Sequence, residues 1–413
     1  MTASTEPAGR TRPVLTRGFA AWLSASTLAA AGDGILYFAI GWTATGIGSG
    51  FAGLAMTLVV LPRTLLLLVG GAAGDRWGLR RTMIGCDLVL AGVLAGYLAA
   101  DRTSASTALL LATLAVAIGT TSAFRMPAAG AFPRLFADDD TLARTMSVTS
   151  SLLQIARLVG PPLGGLVVAA AGMSGAVGWN LAGCLIILVV LASVRPPNER
   201  RDDVPDQGST YDRVRAALAA ARRLPGVVAI LAAIGLFAAG VIPMLSLCVP
   251  LAARERGWSA GATGVVETCW IVGTLSITVL VARFGTRTKA FGPLVGGPLL
   301  TAAGVLTVAF AESLAAAYAG AVVMGLGTAV FTTHAMPLYV LRTPKGMLAR
   351  FQALSGLVQV APMVVTNNAL GAIASGGHAT RSMVLVAVGT LLAAAVVTAN
   401  PALRSARLDG GAG

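Results

Sequence analysis

Apolar residues along this chain come in runs of twenty or more, separated by short polar, Gly or Pro punctuation. A helix rises about 1.5 Å per residue, so each run can cross roughly 30 Å of hydrocarbon. Taking the punctuation as boundaries gives spans at 18–44, 51–73, 80–100, 105–126, 143–171, 174–194, 226–252, 259–283, 288–311, 314–341, 347–374 and 380–400. The one long polar segment runs from Arg195 to Arg223 and divides the twelve spans six and six. Its first half has linker composition. From Ser209 onward the spacing predicts a basic amphipathic helix lying on the membrane surface. The pattern thus predicts an all-α polytopic membrane protein of twelve transmembrane helices. The units are a tail (1–17), a six-helix bundle (18–195), a linker with its helix (196–225), a second six-helix bundle (226–400) and a tail (401–413).

Composition agrees with the pattern. The chain is 56% hydrophobic and 11% charged, with a mean hydropathy of +0.79, against roughly 25% charge in a soluble domain. The polar start before the first run lacks the short apolar core and small-residue cleavage site of a signal peptide, so the first run reads as an uncleaved helix. Cys86, Cys184, Cys248 and Cys269 all fall inside apolar spans without metal-ligand spacing, and read as small buried hydrophobes.

The net charge of +13 does not point to nucleic acid, because its distribution follows the loops. Arg102, Arg254, Arg256 and Arg381 lie on one side, and Arg63 and Arg157 within spans. Every other Lys and Arg, Arg125 included, sorts to the side of the amino terminus. The positive-inside rule then places both termini in the cytoplasm. Heavy Ala, Gly and Arg usage fits a high-GC bacterial genome, hence a bacterial cytoplasmic membrane.

The two halves look like copies. "RWGLR" (Arg76–Arg80) realigns on "RFGTR" (Arg283–Arg287) at an offset of 207. "LAR" at Leu142–Arg144 realigns on Leu348–Arg350 at 206, and Gln154 on Gln359 at 205. Parallel six-helix repeats are one of the architectures of secondary transporters.

The segment "GAAGDRWGLRR" (Gly71–Arg81) matches G-x-x-x-D-R-x-G-x-R-R between the second and third spans. In these residues the chain resembles the major facilitator superfamily. "GPPLGG" (Gly160–Gly165) is similar to that superfamily's antiporter motif, with Gly160, Pro161, Gly164 and Gly165 at its defined positions. The stretch Arg125–Gly165 further resembles the branch of enterobactin exporters and macrolide efflux pumps. The resemblance implies a fold of two six-helix repeats and a gate built on Gly71, Asp75, Arg76, Gly78, Arg80 and Arg81. In this gate, Asp75 and Arg76 hold the halves together and Arg80 and Arg81 orient the loop. The second copy has Ala282 in place of Asp75, so the acidic half of the gate is not duplicated. Pro161 and Pro162 each remove a backbone donor and are expected to bend the fifth span.

Ionisable groups at membrane depth mark a transport path by default. Asp33 lies about 22 Å into the first span, beyond its midpoint. Asp33 is expected to couple protons, or else to form a fixed pair with Arg63 or a hydrogen bond at a helix contact. Glu267 is a second candidate for a proton or a cation. Arg63 and Arg157 are central and favour a substrate with an acidic or hydrogen-bond-accepting group. Gln154, Arg157, Pro161 and Gly164 share one helical face, and Gln352, Gln359 and Thr366 another, with Asn367 beside it. Both stripes read as cavity lining or as helix contacts. Trp270, one turn after Glu267, either stacks on a planar substrate or faces lipid. His334 and His378 have no second ligand at helical spacing, so no metal or cofactor is expected. No G-x-S-x-G, H-E-x-x-H or paired-Asp signature is present, which argues against an enzyme.

The leading expectation is a proton antiporter that exports a small organic molecule (a drug, antibiotic, siderophore or other secondary metabolite) by alternating access. Its partners are that substrate, protons and the bilayer, and it works as a monomer. The alternative is a proton-coupled importer or facilitator of a sugar or organic anion.

Overall fold

The computed structural model describes residues 16–102, 106–137, 139–196, 210–285, 289–344 and 347–408; the side chains of 67–75, 139, 140, 143, 210–214, 216 and 349 lie outside that description. Its helices are α1 (Arg17–Ile47), α2 (Ser49–Trp77), α3 (Leu79–Ala100), α4 (Thr107–Ala131), α5 (Asp139–Ser193), α6 (Thr210–Arg223), α7 (Val227–Pro243), α8 (Val249–Glu255), α9 (Ala260–Phe284), α10 (Phe291–Ala309), α11 (Leu314–Leu341), α12 (Leu348–Val360), α13 (Met363–Ile373), α14 (Ala379–Ala399) and α15 (Pro401–Arg404). Among the described residues no β-strand forms beyond one isolated bridge, Lys289 to Arg407.

These helices make the twelve crossings that the apolar pattern predicts. Spans five and six are the two arms of α5, which breaks at Gly172 (φ 64°). The backbone keeps helical φ/ψ through Pro161 and Pro162, and the sharp break falls at the boundary that the apolar pattern sets between spans five and six. Span seven is α7, a single π turn over Met244–Cys248, and α8. Span eleven pauses between Val360 and Met363 and continues as α13. The linker's amphipathic helix is α6, and its apolar side is not free: Ala217 and Ala221 are buried against the second half.

One end of the bundle carries the arginine-rich loops and is called the basic end below. The core behaves differently at the two ends. At the basic end it divides. One cluster, around Phe19, Trp22, Phe132 and Leu191, belongs to the first half, and another, around Phe237, Phe331, Tyr339 and Phe351, to the second. At the opposite end a single cluster runs through both halves, from Leu36, Ile40 and Met56 to Met244, Leu247 and Val305.

Close backbone approaches sit at that opposite end and at mid-depth. A Cβ added to Gly53 on α2 would meet the Asn367 carbonyl oxygen at 2.5 Å, and one added to Gly165 on α5 would meet Gly264 Cα at 2.7 Å. Small residues allow membrane helices to touch in this way. The Asn368 amide on α13 donates to Thr57 on α2 at 2.7 Å. Arg254 at the end of span seven reaches α1, donating to the Trp42 carbonyl at 2.8 Å and to Thr45 Oγ1 at 2.8 Å.

Arginines also serve as caps on helix carbonyls that lack an intrahelical partner. Arg80 donates to the Leu191 and Ala192 carbonyls at 2.6 and 2.9 Å, tying α3 to the end of α5. Arg256 does the same for Val308 and Ala309 of α10. Glu255 accepts from the Ala379 amide at 2.9 Å, placing a carboxylate at the start of α14.

Candidate functional site

Arg125 is the first surprise inside the bundle. The loop pattern put it among the basic loop residues, but α4 continues past it to Ala131. Its guanidinium lies within the first half and forms an ion pair with Asp33 of α1. Asp33 therefore pairs with Arg125 rather than with Arg63, and its second oxygen accepts from the Asn180 amide at 3.2 Å. Cys184, one turn further along α5, donates its thiol to Asn180 Oδ1 at 3.8 Å.

Asp87 of α3 completes this group, and the sequence reading passed over it. Its Oδ1 stands 3.8 Å from Arg125 Nη1, on a side chain that is 0% exposed. Among the described residues neither of its carboxylate oxygens has a hydrogen-bond partner. The rule that singled out Asp33 also finds Asp87, because "MIGCDLVLAG" puts a carboxylate in the middle of an apolar run. One guanidinium thus serves two carboxylates. Asp33 is 34% exposed and Asp87 is sealed.

A second set of polar groups lines the middle of the molecule. Arg157 is within electrostatic reach of Asp33 and Arg125, and Arg63 within reach of Arg157 and Tyr37. Tyr37 lies near Ser246 of the second half and within electrostatic reach of Glu267. Glu267 is buried on α9, and its carboxylate makes no hydrogen bond or ion pair among the described residues. Asp33, Arg157, Arg63, Tyr37 and Glu267 thereby form a chain of polar side chains from the first half into the second.

The remaining expected site residues divide into two groups. Gln154 is exposed and Gln359 half-buried, its amide donating to Ser355 of its own helix at 3.1 Å. Trp270 is half-buried and donates to Thr328 of the neighbouring α11 at 3.4 Å. Asn367 departs from the cavity expectation. It is 0% exposed, and its main chain is the point where α13 meets Gly53. The residue belongs to the seam between halves, and among the described residues neither of its amide atoms has a hydrogen-bond partner. His334 is buried with Nδ1 facing the Val330 carbonyl at 3.0 Å.

The antiporter-like motif packs in two directions. Cβ atoms on Gly160 and Gly164 would strike Gly34 Cα and Phe38 Cβ of α1, each at 2.8 Å, so these glycines close the first half internally. Gly165 instead faces Gly264 and Ala260 of α9, across the halves. Of the loop motif, the side chains of Gly71 and Asp75 lie outside the described residues. Arg76 and Arg81 are exposed and line a cavity of about 600 Å³ with Trp77, Cys86 and Phe124. Gly78 turns the chain between α2 and α3 at φ 84°.

The same architecture occurs in solved structures. Over 93% of this chain and 100% of theirs, the coordinates of a mutant of the nucleoside transporter NupG superpose with a TM-score of 0.69 at 10% identity. The POT family transporter PepTSo gives 0.68 at 12% identity, over 93% of this chain and 97% of that one. A bacterial homologue of the human lysosomal transporter Spinster, in an inward-facing and unoccupied conformation, gives 0.69 at 15%, over 97% and 99%. At these identities the likeness concerns the fold. No curated protein matches the chain in sequence. The sequence model of the Major Facilitator Superfamily matches residues 22–366, and the chain is a member of that family.

Proposed function

We propose that this membrane transporter exports a small organic molecule from the cytoplasm in exchange for protons, by alternating access. The Asp33–Arg125 ion pair carries the reading. Asp33 is partly open to the middle of the bundle while its partner is held inside the half. Protonation of Asp33 breaks that pair. The glycine motif of α5 favours export over import.

The basic end faces the cytoplasm of a bacterial cell, by the positive-inside rule. The core shared at the opposite end then seals the outer side, and the conformation is inward-facing. Glu267 is the second protonation site. Arg63 and Arg157 give the cavity a positive side suited to an acidic or hydrogen-bond-accepting group. Those two arginines are also the observation that favours the second reading, a proton-coupled importer or facilitator of an organic anion.

The test uses everted vesicles from cells expressing the wild type, Asp33→Asn or Glu267→Gln, with a pH-sensitive dye inside. A macrolide, ethidium and a catecholate siderophore serve as probe compounds. Compound-dependent proton movement is expected in the wild type and lost in Asp33→Asn. Undiminished movement in both variants overturns proton coupling at these residues. An imposed gradient of the compound that drives protons in the same direction as itself overturns export.

A further inference from the structure

Asp87 has no part in the transport reading above, yet it is the most deeply buried carboxylate among the described residues of the first half. A buried ionised carboxylate without hydrogen bonds is strongly disfavoured and neutralises instead. The groups around it are few: Arg125 of α4, Asp33 of α1, Cys184 on the second arm of α5, and Cys86 on its own helix. Among them only Arg125 can compensate its charge. In this structure Arg125 gives its hydrogen bond to Asp33 and stops 3.8 Å short of Asp87.

The geometry points to Asp87 as the alternate counter-ion of Arg125, holding a proton while Arg125 bonds Asp33 and giving it up when Arg125 turns to it. This inference rests on proton coupling at Asp33. The bookkeeping is closed. The cluster in either state holds one guanidinium, one carboxylate and one carboxylic acid, so its net charge stays at zero. A proton arriving from the cavity adds to an Asp33 oxygen and breaks that residue's bond with Arg125. The guanidinium turns to Asp87, and the O–H bond of Asp87 breaks. Its proton leaves to water in the crevice whose wall includes Cys86 and Phe124, the chain neighbours of Asp87 and Arg125. One proton enters and one leaves, on the basic side of the entry point. Without Asp87, protonating Asp33 strands a buried cation without a counter-ion, which is strongly disfavoured. Asp87 removes that barrier.

Infrared spectra of the reconstituted protein at neutral pH test the exchange through the carbonyl stretch of protonated carboxylic acids. All samples carry Glu267→Gln, so that the other buried carboxyl is silent. Asp87→Asn is expected to remove one carboxyl's worth of intensity. Asp33→Asn is expected to remove the same intensity, although it leaves Asp87 in place, because Arg125 then turns to Asp87 and ionises it. A band unchanged in Asp87→Asn places the proton elsewhere and overturns the inference. A band unchanged in Asp33→Asn shows that Arg125 does not transfer, and also overturns it. If Asp87→Asn fails to insert, Asp87→Glu takes its place: a displaced band supports the assignment and an unmoved one refutes it. Undiminished proton movement in the Asp33→Asn vesicles would refute coupling while leaving the band result standing, so the two failures are distinguishable.

Discussion

Gly78 and Gly285 hold the same backbone conformation, at φ 84° and φ 80°, in the turns that follow α2 and α9. They stand 207 residues apart, the offset at which "RWGLR" realigns on "RFGTR". Among the described residues nothing lies within 4 Å of a Cβ built on either, so the backbone is what demands glycine. Alanine at each position is expected to cost about 1–3 kcal/mol, and the two costs are expected to be similar. Thermal unfolding in detergent measures both. A large loss at Gly78 with none at Gly285 would mean that the two turns are not equivalent copies.

Gly164 and Gly165 are neighbours with different jobs, and alanine separates them. Gly164→Ala crowds α1 within one half, so it is expected to lower the melting temperature. Gly165→Ala crowds Gly264 and Ala260 across the seam, where backbone cannot yield. Overpacking of about 1–3 kcal/mol then falls only on the state closed at the opposite end. Spin labels on the ends of the two halves are expected to report a shifted distance distribution for Gly165→Ala and an unshifted one for Gly164→Ala.

Arg254 stacks 4.4 Å from the Trp42 ring centre while its nitrogens reach the Trp42 carbonyl and Thr45. This is a cross-half strap, and it protects the seam beneath, where Cys248 is 0% exposed. Losing charged hydrogen bonds worth about 1.5 kcal/mol in Arg254→Ala raises the open population roughly tenfold. With the other three cysteines replaced by serine, maleimide labelling of Cys248 is expected to accelerate by a similar factor. Arg254→Lys is expected to recover little of the protection, since an ammonium cannot fork between two oxygens. Equal labelling rates in Arg254→Ala and wild type would remove the strap.

The spans were legible in the sequence because bilayer thickness imposes run length, and the repeat was legible because turns such as Gly78 keep their residues. Interior polar pairing was harder to read. Arg125 stands near the end of its apolar run, where a loop arginine and a buried arginine look alike from sequence. Only helix packing places it beside Asp33. Asn367 shows the reverse case: its stripe looked like cavity lining, yet the close approach of Gly53 encloses it. The break at Gly172 was legible, since it falls between the spans that the apolar pattern ends at 171 and restarts at 174.

Arg125, Asp33 and Asp87 also make a stability prediction that the seam residues do not. Arg125→Leu leaves two carboxylates around a vacated centre, and breaking a buried pair from one side costs about 3–5 kcal/mol. Asp33→Asn is expected to cost much less, because Arg125 keeps Asp87 as a partner. The triple variant Asp33→Asn/Asp87→Asn/Arg125→Leu removes every charge at once. Its melting temperature in detergent is expected to return close to the wild-type value, since an uncharged replacement of a buried ionic group is often neutral, while compound-dependent proton movement stays absent. If Arg125→Leu melts like the wild type, the three groups are not electrostatically coupled. If the triple variant is as unstable as Arg125→Leu, the loss comes from packing around residue 125 and not from unpaired charge.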